Sequence, residues 1–449
     1  MSAKDTSVRG AVGSRRSIAR TALLLLPVQV VFRTGEAIVP LLLAAWFGRT
    51  PETDAYYFAS ALFVFAGSFV ASAFQDSALI PVLSQLQARD RVEHVRTIRA
   101  LFGYTLAFGA ALGVAAGAVT LAWFAWRYEG PVFRDAAWLI PPFALYLMAL
   151  AVRALFVGVM NQRGRYTVHP VASGIGIAVA LALIAGVRGA WGIRILPAAW
   201  LLQELLAALI AGTIASLDLE ARLRPTLERS ATLDHFFRLA LSEVVGGAIT
   251  RLNPVVDQAI AGLTRVVGGG TLLRYAFDVA SLPTSAAQAT VFPPLLSHLS
   301  EDAAAKHWDA FEQTVHRALA GVCGVLLAMC ALVFACRAPL LRLAFLHGAM
   351  DAAGVDGINE VLPYALAGVA PFGALLVLAR AHVALQNSRI MISMGILNAT
   401  LNALLDVALY RWLGLRGIAL STSLMQAAVA AVFWVRLKAR LAERRRETP

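Results

Sequence analysis

The chain has 449 residues, of which 59% are hydrophobic and only 15% charged, with a mean hydropathy of +0.69. Soluble domains run nearer half apolar and a quarter charged, so these proportions exclude an ordinary water-soluble enzyme. The net charge of +12 is scattered through short segments between apolar runs, which points to anionic lipid headgroups rather than to nucleic acid.

In chain order, residues 1–21 form a basic tail without an A-x-A cleavage site, expected to remain on the cytoplasmic side. Apolar runs then predict twelve spans at 22–47, 55–75, 98–125, 137–160, 166–187, 191–216, 233–260, 270–297, 315–336, 359–385, 389–411 and 416–437. Alternating barrel segments are absent, so the predicted fold is an all-α polytopic membrane protein. The first six spans make an N-terminal lobe, 22–216. The polar stretch LDLEARLRPTLERSA at 217–231, with helix-breaking Pro225, reads as a cytoplasmic linker. A second six-span lobe follows at 232–437, then a basic cytoplasmic tail at 438–449. Most of the 39 Lys and Arg fall on the side of the N-terminus, which predicts that both termini are cytoplasmic.

The halves resemble each other. LIPVLSQL at Leu79–Leu86 matches FPPLLSHL at Phe292–Leu299, and the turns NQRGRY at Asn161–Tyr166 and QNSRI at Gln386–Ile390 occupy corresponding places. A parallel repeat follows, with two pseudo-repeat lobes around a central cavity where a substrate would bind.

No nucleotide-binding glycine pattern, HExxH or GxSxG motif occurs, and the eight histidines lack paired ligand spacing. Cys323, Cys330 and Cys336 share one apolar stretch and read as packing residues. The expectation is a protein with no catalytic residues, no metal centre and no cofactor. Chemistry then rests on ionisable residues inside the spans, where each costs at least a few kcal/mol unless paired or hydrated. Arg33 and Glu36 share a face of the first span; Arg274 and Asp278 repeat the arrangement in the eighth. The seventh span carries Glu243, Arg251 and Asp257 with Asn253-Pro254, so it reads as a bent, polar helix facing water. For these residues a structural ion pair and a direct ligand role are both open. Arg251 is expected to face substrate, and Glu36, Glu243 and Asp257 are the candidate ion-coupling carboxylates. Arg153, Arg238 and Arg380 lie near cytoplasmic ends and are expected to snorkel. Glu204, Asp406, Asn398 and Asn402 read as interhelical hydrogen-bonding residues.

The stretch Phe32–Leu86, with Arg33, Phe47-Gly48, Thr53-Asp54-Ala55 and Pro81, resembles the opening of the MviN/MurJ lipid II flippases of the MOP exporter superfamily. RYAFDVASLPTSAAQATVFPPLLSHLSE at 274–301 looks like that family's eighth span, and LAFLHG at 343–348 like its FxxG motif. The resemblance implies a MOP/MATE-like fold and a bacterial inner-membrane location; the motif residues Arg33 and Asp54 join Glu36, Arg251, Arg274 and Asp278 from the ionisable residues of the spans as the candidate substrate-binding set. It implies a flippase that moves a polyprenyl-diphosphate-linked saccharide among membrane lipids, with a glycan polymerase or synthase as an expected partner. Lipid II itself, a drug or cation antiporter, and a non-transporting scaffold for a glycan synthase are the rival expectations. The sequence departs from the family where Val39-Pro40 stand for Arg-Asp, where Gly67, Ser68 and Ser72 stand for charged residues, and where Asp278 stands for an arginine. It also has twelve predicted spans, without the additional C-terminal pair of many members.

Overall fold

A computed structural model describes residues 38–74, 79–248, 251–264, 266–290, 292–385 and 387–447. Arg33, Glu36 and most of the first predicted span lie outside these residues. Everything regular among the described residues is helical. A backbone in hydrocarbon must satisfy its own N–H and C=O groups, and within one chain segment only a helix does so.

The first half runs α1 (Ile38–Phe47), α2 (Pro51–Phe74), α3 (Leu79–Arg89), α4 (Arg91–Arg127), α5 (Gly130–Ala137), α6 (Ile140–Gln162), α7 (Val168–Trp191) and α8 (Ile195–Asp218). The second runs α9 (Ala231–Ala248), α10 (Asn253–Gly262), α11 (Gly269–Thr290), α12 (Phe292–Ala304), α13 (Trp308–Phe345), α14 (Ala352–Leu366), α15 (Val369–Ala384), α16 (Ser388–Leu413) and α17 (Leu415–Glu447). Eight continuous stretches among the described residues are long and apolar enough to cross a bilayer, and one of them, Val168–Asp218, holds both α7 and α8.

Differences from the predicted spans have local causes. The seventh is interrupted at Arg251 and Leu252, which lie outside α-helix, and α10 starts at Asn253 with Pro254 in its first turn, where the missing N–H is tolerated. The eighth becomes α11, which carries Arg274, Asp278 and Pro283. The tenth divides at Ala367–Gly368 into α14 and α15.

The repeat is visible element by element. LIPVLSQL and FPPLLSHL open the short helices α3 and α12, each followed by an unusually long helix: α4 has 37 residues and α13 has 38. α7 and α16 end on Gly192 (φ 56°) and Gly414 (φ 58°), left-handed positions that favour glycine, before the chain reverses into α8 and α17.

The chain divides into two compact units. One contains Val70–Ala122 and Trp138–Leu241; the other contains Leu41–Phe69, Trp123–Ala137 and the residues from Ser242 onward. In the first, Leu83, Leu101, Leu155, Phe156, Met160 and Phe236 form the core. In the second, Phe63, Tyr275, Phe311 and Phe345 are fully buried. Val114 on α4 and Leu332 and Leu343 on α13 are exposed, as a lipid-facing surface requires.

Between α8 and α9 the polypeptide is not helical and lies along α4. Thr226 N donates to Arg99 O at 3.1 Å, Arg99 Nε to Arg222 O at 3.0 Å, and Tyr104 Oη to Leu227 O at 3.2 Å. Arg91 pairs with Glu220 at 2.7 Å and Arg96 with Glu228 at 2.6 Å. This approach requires Gly103, since a Cβ there would run into the Thr226 carbonyl. Gly103→Ala should therefore destabilise the protein by about 1–3 kcal/mol, the usual cost of overpacking. Thermal unfolding of the purified variant in detergent checks this, with a lowered Tm as the expected result.

Candidate functional site

All the described site residues fall in the second unit. The first turn of α2 meets the first turns of α11. Asp54 Oδ1 accepts from Thr271 N and from Thr271 Oγ1, both at 2.8 Å, and Thr271 Oγ1 also donates to Thr53 Oγ1 at 2.9 Å. An acidic side chain at the amino end of α11 complements the helix dipole and satisfies an otherwise unpaired N–H. One turn further, Tyr57 and Tyr275 are joined through their hydroxyls at 3.1 Å and pack edge to face.

Arg274 and Asp278 form an i,i+4 ion pair at 3.0 Å along α11. Together with the exposed Ser281 and Ser285 they mark a polar face on an otherwise apolar helix. Arg251 reaches the Ser68 carbonyl at 3.4 Å and is exposed. The Glu243 side chain, like Arg33 and Glu36, lies outside the described ones.

A polar ladder joins α10 to α16. Asn253 Nδ2 donates to Asn398 Oδ1 at 2.6 Å; one turn on, Asn402 Nδ2 donates to Asp257 Oδ1 at 2.7 Å and to Asp406 Oδ2 at 2.9 Å. From α17, Ser421 donates to Asp406 and Thr422 Oγ1 lies 3.5 Å from Asp257 Oδ2. Asp257 is 6% exposed, Asn402 and Asp406 not at all. Two carboxylates sharing one buried amide repel each other unless a proton or small cation compensates them. Asp257 was anticipated as an ion-coupling residue, whereas Asp406 and Asn402 were read only as hydrogen-bonding partners. The 398, 402, 406 spacing on one face of α16 is the signal that groups them.

In the first unit Arg153 of α6 does not snorkel. It pairs with Glu204 of α8 and lies 3.4 Å from His169 Nδ1, which in turn contacts Ser173 Oγ at 3.2 Å. A carboxylate on the adjacent helix offers the guanidinium a partner closer than the interface, and breaking such a pair would strand a charge.

Outside the spans, Arg49 grips Asp351 with two parallel bonds, Nε to Oδ1 at 3.0 Å and the second guanidinium nitrogen to Oδ2 at 3.1 Å, while Asp351 Oδ1 also caps α14 through Gly354 N at 2.8 Å. A cavity of about 420 Å³ is lined by Asp54, Arg127, Tyr128, Glu129, Thr264 and Gly268. Burial pushes the Tyr128 phenol up, reinforced by the Asp54 carboxylate.

An all-helical repeat with a buried carboxylate cluster in a broken-helix region has the form of a MOP-type membrane transporter. Among solved structures it is similar to a lipid II flippase MurJ in an inward closed conformation (TM-score 0.80, 17% identity, covering 93% of this chain and 87% of that one). It is also similar to an inward-facing multidrug resistance MATE family transporter (0.77, 14%, 94% and 96%) and to a Vibrio cholerae MATE transporter (0.64, 12%, 96% and 98%). No curated protein matches. The family of lipid II flippase MurJ matches residues 43–447, and the chain belongs to it. It is thus a multi-pass membrane transport protein and not an enzyme.

Two outcomes follow from this geometry. The hydrogen-bonded Arg49 holds the Asp351 carboxyl below its ordinary value, so the link's contribution to stability is complete above about pH 4 and is lost as pH falls through the lower folded value. Acid titration of the melting temperature should show this loss, and Asp351→Asn should remove part of it. Asp54→Ala should lower Tm by leaving Thr271 N unpaired, at a cost of about 1–3 kcal/mol, with Asp54→Asn closer to wild type.

Proposed function

We propose that this chain flips a polyprenyl-diphosphate-linked saccharide, a precursor for exopolysaccharide or cell wall, from the cytoplasmic to the periplasmic leaflet by alternating access. Membership of the MurJ flippase family over residues 43–447 is the observation that carries this reading. Arg274, Asp278 and Arg251 supply a hydrated polar face suited to a charged, sugar-bearing headgroup, while the lipid tail stays among membrane lipids. Arg33 and Glu36 belong to the same proposed substrate-binding set.

Asp257 and Asp406 with Asn402 are the proposed coupling site for a proton or a sodium ion, with Glu36 and Glu243 as further candidates. All contacts within the cluster come from oxygen and amide groups, a donor chemistry suited to a hard monovalent cation. Membrane potential contributes about 2.3 kcal/mol per charge per 100 mV, enough to bias a two-state carrier.

Lipid II itself is the second reading, favoured by the family match and opposed by Val39, Pro40 and Ser68, which stand where the resemblance implies charged residues. Rescue of a strain depleted of its lipid II flippase, set against rescue of one lacking an exopolysaccharide flippase, separates the two. Failure of both, with no translocation of labelled polyprenyl-linked saccharide in liposomes, would leave the scaffold role. Both termini and the 217–231 linker are proposed to be cytoplasmic, so reporters fused after residue 225 and at the C-terminus should both read cytoplasm.

A further inference from the structure

A second, smaller cavity of about 170 Å³ lies inside the second unit, where α11 meets the α14–α15 junction and α17. Its walls include Ser281, Thr284, Phe372, Thr422, Ser423 and Gln426, so hydroxyl and amide groups are concentrated in the middle of spans where apolar packing would be the default. The volume is that of several water molecules, and the polar groups suffice to hold them.

The exposure of these groups is graded. Ser281 is exposed on the same face of α11 as Arg274 and Asp278, whereas one turn inward Thr284 is 5% exposed and Ser423 5%. Beyond them Thr422 belongs at once to the cavity wall and to the carboxylate cluster, with its hydroxyl 3.5 Å from Asp257 Oδ2 and 3.5 Å from Asn402 Oδ1. The space is kept open by Gly368, where a Cβ would meet the Gln426 amide and the Ser423 hydroxyl.

We propose that this cavity is the access vestibule for the small cation, so that the ion reaches Asp257 and Asp406 from the polar face of α11 that carries Arg274 and Asp278. This rests on the ion-coupling role proposed above for the two carboxylates. Ser281 forms the mouth, Thr284 and Gln426 line the passage, and Thr422 is the last hydroxyl before the carboxylates. Ion and headgroup then load from one chamber, and the polar face of α11 is the element they share. Between apolar walls that include Phe277, Val369 and Phe372, a cation that has passed Thr284 meets the side-chain oxygens of Gln426, Ser423 and Thr422, which lowers the cost of a charge in hydrocarbon.

The test uses the full chain in liposomes with Cys323, Cys330 and Cys336 replaced by alanine and with Thr284→Cys introduced. A small cationic methanethiosulfonate should modify Thr284→Cys about tenfold faster than Leu332→Cys on the lipid-facing side of α13, because only a wet site yields thiolate. Modification should cut the response of translocation to an imposed sodium or pH gradient about fivefold or more, whereas Asp406→Asn should abolish that response and leave the labelling rate of Thr284→Cys unchanged. If Thr284→Cys is no more reactive than Leu332→Cys, the vestibule is overturned while the carboxylate reading stands. Fast labelling with an unaltered gradient response overturns the passage as the route. Should the unmodified protein ignore both gradients, the coupling role of Asp257 and Asp406 fails first, and the route fails with it.

Discussion

Hydrocarbon supplies no hydrogen bonds, and this one constraint organises the molecule. Each polar group left within a span must find its partner in the protein or in trapped water, at a cost of several kcal/mol if it does not. The described intramembrane charges obey it in three different ways. Arg153 and Glu204 neutralise each other across two helices, and Arg274 and Asp278 do so along one. Asp257 and Asp406 cannot, since both are acids; Asn402 donates to both, Ser421 to Asp406, and the Thr422 hydroxyl lies against Asp257. The first two arrangements are electrically complete. The third sets two acids around one amide, an arrangement that a proton or a small cation would complete.

The two halves of the repeat treat this constraint differently. Corresponding long helices, short post-span helices and glycine-ended turns are preserved between them. In the first unit, the α6–α8 interface closes around an arginine–glutamate pair; in the second, the α10–α16–α17 interface closes around acids and amides. One backbone plan thus hosts a charge-paired interface in one half and an acid–amide interface in the other.

Much of the architecture could be read from the sequence because hydropathy is a direct record of burial in lipid. The repeat in LIPVLSQL and FPPLLSHL, the helical class and the family resemblance all depend on residues close together in the chain. Less legible was anything that depends on pairing between distant segments. Arg153 looked long enough to reach the interface, and only the packing of α6 against α8 shows Glu204 to be nearer. Asp54 was recognisable as a motif residue, but its partner Thr271 is 217 positions away. Asp406 is legible in the sequence only as a hydrogen-bonding residue for the same reason: a single acid on α16 gains a second acid as neighbour only when α10 brings Asp257 beside it. Helix interruptions at 251–252 and 367–368 were obscured because apolar composition continues around them.

The long helices α13 and α17 extend this logic beyond the bilayer. At 1.5 Å per residue α13 is about 57 Å long against a hydrocarbon thickness of about 30 Å. Its amino end is tied to the far end of α17, where Arg445 bonds Asp309 and Glu312 at 2.7 Å each, and further in His316 packs edge to face on Trp434. Two rods joined near their tips tilt as one. A tilt of about 10° about the midpoint of α13 displaces its end by about 5 Å, so a small rearrangement within the membrane is magnified into a displacement at the water-exposed tip. The buried ladder is shielded from salt while the clasp at the tip is not, so ionic strength acts on the end of the lever without touching its fulcrum.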